Sequence, residues 1–330
     1  MNGGRSGSRA CPAILAMVLC LAAYNHESRG GQGPAGRGTV VARAAYGSGP
    51  NQIGITNPDE ANPEGPMSFA LGADGRIYIL DQVNARIQVF HGGVCTETIP
   101  IPGRTFVDID RTPDGKLVLM DNLVKKAVYV LGGKGETVRI LPLAGKGIAD
   151  PAAVTGIECR DDARWSGIWA QVDEGWLRLA ALDGTPDAGR PAIPGRPSLD
   201  GKRFMKAEMG GETIVLIRCS REDPPGWDRV RLAFDMPVAH LLGLWDDRSG
   251  RIYLGAFLVR EPDAANVIAL LDPAGKELGR LALAAAPMPH EVYRSVRVSP
   301  EGRVYQMVLE ERGVVVRVYD PAGGPAQRKP

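Results

Sequence analysis

Six ionisable side chains, Glu64, Arg104, His240, His290, Glu291 and Arg294, fall at matching places in a pattern that recurs along this chain. Gathered at one spot, imidazoles and carboxylates can hold a divalent metal or relay protons, and guanidiniums can clamp an anion. A seventh candidate, Trp227, sits in the polar stretch Arg221 to Asp228 (REDPPGWD), where an aromatic among charges suits the anchoring of a protein or peptide. The usual catalytic signatures are missing from the sequence: it has no HExxH, no GxSxG and no phosphate-binding loop. Segments 131–135 and 145–147 combine Gly and Lys without the phosphate-loop spacing and read as hairpin turns.

What must position these residues is a repeated unit: an alternating strand, a tight turn ending in Gly, a second apolar strand, a polar break and a third strand. Its clearest copy is MSFALGADGRIYILDQVNARIQVF, Met67 to Phe90; His91-Gly92-Gly93 then turns the chain into a fourth strand, Val94 to Ile99. Further copies span Val107 to Val130 and Val296 to Tyr319, with another around Trp245 to Leu254 and two weaker ones at Gly167 and Gly210-Gly211. The turn glycines 75, 115, 167, 211, 250 and 302 lie 40, 52, 44, 39 and 52 residues apart, so the chain carries six copies. A period of this length with four strands per copy predicts a propeller, because each small sheet can bury its faces only against its neighbours.

The sixth copy ends after three strands, whereas TVVARA, Thr39 to Ala44, stands ahead of the first copy with no partner of its own. The expected fold is therefore all-β, a six-bladed β-propeller over residues 39–320 closed by an N-terminal strand, which removes an exposed sheet edge. First strands line the axis in such a disc. The starts of those strands, the connections between blades and the loops between second and third strands then converge on one face. Arg221 to Asp228 and Arg260 to Asn266 (REPDAAN) read as two long loops of that face, in blades four and five.

Hydrophobic residues at 44% and charged residues at 23% suit a chain with a sizeable core. Lys plus Arg (39) balances Asp plus Glu (38) without a basic cluster, so a nucleic-acid partner is not expected. Arg5 and Arg9 precede an apolar run, Ala10 to Ala23, too short to span a membrane, which reads as a signal peptide over 1–23. Export to the periplasm or outside follows, with no membrane span after cleavage; a lipid anchor at Cys20 fits less well because Leu19 precedes it. Residues 24–38 read as a flexible leader and 321–330 as a disordered tail. The remaining thiols, Cys95, Cys159 and Cys219, include no CxxC pair and allow one disulfide at most.

The string Gly65-Pro66, Asp74-Gly75-Arg76-Ile77-Tyr78, Asp81, Asn84, Arg86-Ile87-Gln88-Val89-Phe90 resembles an NHL repeat. That resemblance implies a propeller binding a protein, peptide or small molecule on its loop face, with no cofactor. Glu64-Gly65-Pro66 is also similar to the opening motif of the SMP-30/gluconolactonase family, which implies a metal-binding glutamate, although that family's later Asn and Asp ligands have no counterpart here. Peptidyl-hydroxyglycine lyases, which resemble NHL repeats too, hold zinc with histidines at the channel; here His240 and His290 would need Glu64 or Glu291 to complete a set. Two readings follow, a binding or scaffolding module and, as the alternative, a metal-dependent propeller enzyme.

Overall fold

The computed structural model describes residues 38–162, 164–173, 175–221, 226–286 and 290–321; the signal, leader and tail assignments lie outside them apart from residues 38 and 321. Six antiparallel sheets form a β-propeller. Helix is confined to two short 3-10 turns, Gln82–Asn84 and Pro151–Ala153, and among the described residues no helix is long and apolar enough to cross a membrane.

From the axis outwards, blade one comprises Phe69–Leu71, Ile77–Asp81, Arg86–His91 and Val94–Pro100, and blade two Asp108–Arg111, Leu117–Asp121, Ala127–Leu131 and Thr137–Pro142. Blade three comprises Val154–Arg160, Gly167–Val172, Gly175–Ala180 and Ala192–Ile193; blade four Arg196–Pro197, Arg203–Gly210, Thr213–Ser220 and Trp227–Ala233. Blade five follows with Val238–Asp246, Ile252–Arg260, Asp263–Leu271 and Glu277–Ala282. Val296–Val298, Val304–Glu310 and Gly313–Tyr319 make the inner three strands of blade six. Both faces of a blade are buried, so the apolar clusters lie between blades: Val118 and Val130 of blade two meet Ile157 and Ile168 of blade three, and Leu216 and Leu232 of blade four meet Leu254 and Ala269 of blade five.

The first turn of a blade is the same in five of the six. Gly75, Gly115, Gly201, Gly250 and Gly302 each donate their N–H to the carbonyl three residues back, over 2.8–3.0 Å, at a φ between 67° and 92° that a side chain would resist. This corrects the fourth turn. The Asp200-Gly201 pair, not Gly210-Gly211, opens blade four; Gly211 sits one hairpin later, between the second and third strands, where Gly210 pairs with Thr213. The stretch Arg221 to Asp228 consequently joins the third strand to the fourth. In blade five the expected long loop is a two-residue turn, with Arg260 paired directly to Asp263.

Thr39–Tyr46 is the outer strand of blade six, pairing with Gly313–Tyr319 from Thr39↔Val318 to Ala45↔Gly313. Its inward residues are small, Ala42 and Ala44, so backbone hydrogen bonds supply much of the closure. After it, Gln52–Ile53 adds a short parallel edge. That segment is held by the repeat's own polar residues: buried Asp81 accepts from Gly54 N at 2.8 Å and from Arg86 Nε at 2.7 Å, and the same guanidinium donates to the carbonyls of Ser48, Gly49 and Gln52. Asp81, Asn84 and Arg86, the motif residues that carry the NHL-like pattern, thus act here as a clamp on the closing strap.

Candidate functional site

The inner strands bring charge to the axis. Counting five residues back from the turn glycine of blades two, four and six gives Asp110, Arg196 and Arg297, one position of the repeat occupied by both signs of charge. Arg297 is buried and crosses from blade six to its neighbours, donating to Phe69 O at 2.9 Å, Ile109 O at 2.6 Å and Asp108 Oδ1 at 3.1 Å. Asp108 is fully buried and also takes Ser68 Oγ at 2.7 Å and Ile157 N at 3.0 Å, so one carboxylate ties blades one, two, three and six together.

Blades three, four and five are joined by a second knot. Arg196 holds both oxygens of Glu158, at 3.1 and 2.9 Å, and reaches Asp246 Oδ1 at 2.7 Å. Arg160 adds a third contact to Glu158 at 3.0 Å and bonds Asp162 at 2.9 Å. Burial alone would raise the Glu158 pKa, but Arg196 and Arg160 outweigh it and hold the carboxyl down to about 2. Arg196 loses hydration in turn, yet the carboxylates beside it raise its pKa further above the ordinary arginine value. Asp110 behaves oppositely: burial raises its pKa in spite of Arg297 and of the N–H groups of Cys159 and Arg111 that it accepts.

Two side chains from the strap before blade six span the whole channel to blade three. Tyr293 donates its hydroxyl to Val154 O at 2.8 Å. Arg294 lies 3.3 Å from both Asp108 Oδ2 and Ile157 O. A Cβ on Gly156 would stand 1.7 Å from Arg294 Nη2, so a glycine is needed there for the guanidinium to pass. Side chains therefore fill the channel at this level.

Above this floor, between blades three, four and five, is a cavity of about 610 Å³. Glu158, Arg196, Arg294 and Tyr293 line its base, and Trp176, Met205, Leu242 and Trp245 add apolar wall. Asp173, in the turn between the second and third strands of blade three, and Met209, near the end of blade four's second strand, also line it. Thr155 and Leu241, near the starts of inner strands, are among its lining residues, which puts the cavity on the face where the connections between blades converge.

The sequence candidates divide. Arg294 lines the cavity. Glu64 and Glu291 lie on the same face and are joined backbone to backbone as an isolated bridge, both exposed. Exposed Arg104 lies in the connection into blade two. His240, near the start of blade five's inner strand, packs its ring 4.9 Å from that of Phe257, and desolvation lowers its pKa. His290 lies in the connection into blade six. Trp227 is not with them: it pairs with Cys219 at the end of blade four that carries the Gly201 turn, on the opposite face, and is 54% exposed. Asp108, Asp110, Glu158, Arg160, Arg196, Asp246 and Arg297 were absent from the sequence candidates. Among the described residues no three His, Cys, Asp or Glu side chains gather at one place that could hold a metal. Cys95, Cys159 and Cys219 are free thiols.

No protein-family model matches the chain, and no curated protein matches it. Among solved structures it is similar to a virginiamycin B lyase from Staphylococcus aureus, at 12% identity over 81% of this chain and 97% of that one, with a TM-score of 0.45. A streptogramin B lyase is similar at 11% identity over 80% and 97%, with a TM-score of 0.43. A protein of unknown function from Bacteroides caccae shares 14% identity over 66% and 82%, with a TM-score of 0.38. Identities this low assign neither a reaction nor a ligand.

Proposed function

We propose that this chain is an exported ligand-binding propeller whose recognition site is the cup between blades three, four and five. One observation carries the reading: a cavity of about 610 Å³ with a fixed ionic floor, Glu158–Arg196 beside Arg294, under walls that include Trp176 and Trp245. That volume is in the range of small-molecule sites, roughly 300–1,000 Å³, and such sites combine apolar wall with a few fixed polar groups. Glu158 and Arg196 are held by each other and by Arg160 and Asp246, so the floor is rigid before a ligand arrives. Arg294, with its two longer contacts, is the group best placed to meet an incoming carboxylate, amide or hydroxyl.

A thermal-shift screen of small metabolites and short peptides on the purified protein tests the reading. Ligands found this way are expected to lose most of their effect on Ala207→Trp, which fills the cup, and on Arg294→Gln, while Trp227→Ala leaves them unchanged. Hits that depend on Trp227 and ignore both cup substitutions would place recognition on the other face and overturn the proposal. The export part is tested by fractionating cells that express the full chain: a mature protein starting near residue 24 outside the cytoplasm supports it, and a full-length cytoplasmic protein contradicts it.

A further inference from the structure

We propose that the opposite face carries a second site, for a small oxyanion group, where blades three and four meet. A cavity of about 400 Å³ lies there, lined by Asp162, Arg164, Leu199, Asp200, Gly201, Lys202 and Arg221. Its two carboxylates are already occupied. Asp162 takes the Arg160 guanidinium and the N–H groups of Arg164 and Trp165, and Asp200 takes Ser198 Oγ and the N–H of Lys202.

Its cations are not matched in this way. Among the described residues neither Arg164, Lys202 nor Arg221 has a carboxylate within ion-pair distance of its side chain. Arg221 lies over the ring of Trp165 at 4.6 Å and that of Phe204 at 5.3 Å, and donates to Gly201 O at 3.3 Å. Arg164 and Arg221 both line this cavity; burial lowers the Arg221 pKa, and the like charge of Arg164 lowers it further. An anion between them would relieve that repulsion and accept from both forks.

A second observation points the same way. The indole Nε1–H of Trp165 is buried and has no acceptor. It lies 3.9 Å from where a Cβ on Gly201, a residue of the cavity wall, would stand. Arg164, Arg221 and Lys202 thus bring three cations around one cavity, with the rings of Trp165 and Phe204 stacked against Arg221 at its edge. The ligand class is a carboxylate or phosphate carried on a ring or short apolar group.

Titration calorimetry with phenyl phosphate and with benzoate tests this and separates the two anions. At least one is expected to bind at a single site and to shift the Trp165 indole resonance, assigned with Trp165→Phe. Arg164→Gln and Lys202→Gln, both at exposed positions, are expected to keep the melting temperature, and Arg164→Gln to weaken binding about tenfold or more, the effect of losing one charge-assisted hydrogen bond. Arg294→Gln, in the cup, is expected to leave this binding unchanged. Absence of binding by both probes at millimolar concentration, binding that survives Arg164→Gln, or loss on Arg294→Gln would each overturn the proposal.

Discussion

Replacing Asp108 with Ala is the sharpest perturbation of the central network. The carboxylate is fully buried and serves Ser68 Oγ, Ile109 N, Ile157 N, Arg297 and Arg294 at 2.7–3.3 Å. Its removal leaves Arg297 buried with only the carbonyls of Phe69 and Ile109, and orphans the Ser68 hydroxyl and the Ile157 N–H. Breaking one side of a buried ion pair costs about 3–5 kcal/mol. The orphaned donors fall within the same knot, so their costs overlap with this figure and are not added to it. For a domain of this size, about 2–4 °C per kcal/mol makes that roughly 6–20 °C in Tm. Asp108→Asn keeps the shape and an acceptor and is expected to lose less. Asp108→Leu with Arg297→Met, which removes both charges, is expected to recover part of the loss. Urea unfolding with a constant m-value is the assay. A loss under about 1 kcal/mol for Asp108→Ala would refute the claim that this carboxylate joins four blades.

Closure gives the next prediction: deleting residues 39–46 is expected to destabilise the domain by several kcal/mol, on the scale of a major core truncation. Gly313→Ala should do much the same without shortening the chain, since a Cβ there would stand 2.0 Å from Ala44 O; the two changes combined should cost little more than either alone, as melting curves would show. On the acid side, Glu158 has its folded pKa depressed to about 2, below the unfolded value near 4.3, so its contribution is present above about pH 5 and is lost as pH falls toward 2. Asp110, with a raised folded pKa, works against that slope, so the test is a difference: the stability of Glu158→Gln, followed by urea unfolding from pH 6 to 3, should fall less steeply than that of the parent.

Much of the fold was legible because its signals are local. A glycine turn, two-residue alternation and a fourfold strand count per repeat act within some 40 residues, and TVVARA stood out because it had no nearby partner. Blade four misled for the same reason. Its inner strand is only Arg196–Pro197, too short to show alternation, and both Asp200-Gly201 and Gly210-Gly211 look like turns, so the frame moved by one strand and carried Trp227 to the wrong face. The charge network was hidden differently. Asp110, Arg196 and Arg297 share a repeat position but not a residue type, and their partners are far away in sequence, as with Arg297 and Asp108, 189 residues apart. The correct frame would have exposed that position, but pairing across the axis depends on the closed ring.

The most direct test of the account is a crystallographic fragment screen of the ligand-free protein, using compounds with one polar head and one ring. Bound density is expected in the cup between blades three, four and five, with the polar head against Arg294 or Arg196 and the ring on the Trp176 or Trp245 side. Fragments that occupy other surfaces and leave this cup empty across the screen would contradict it.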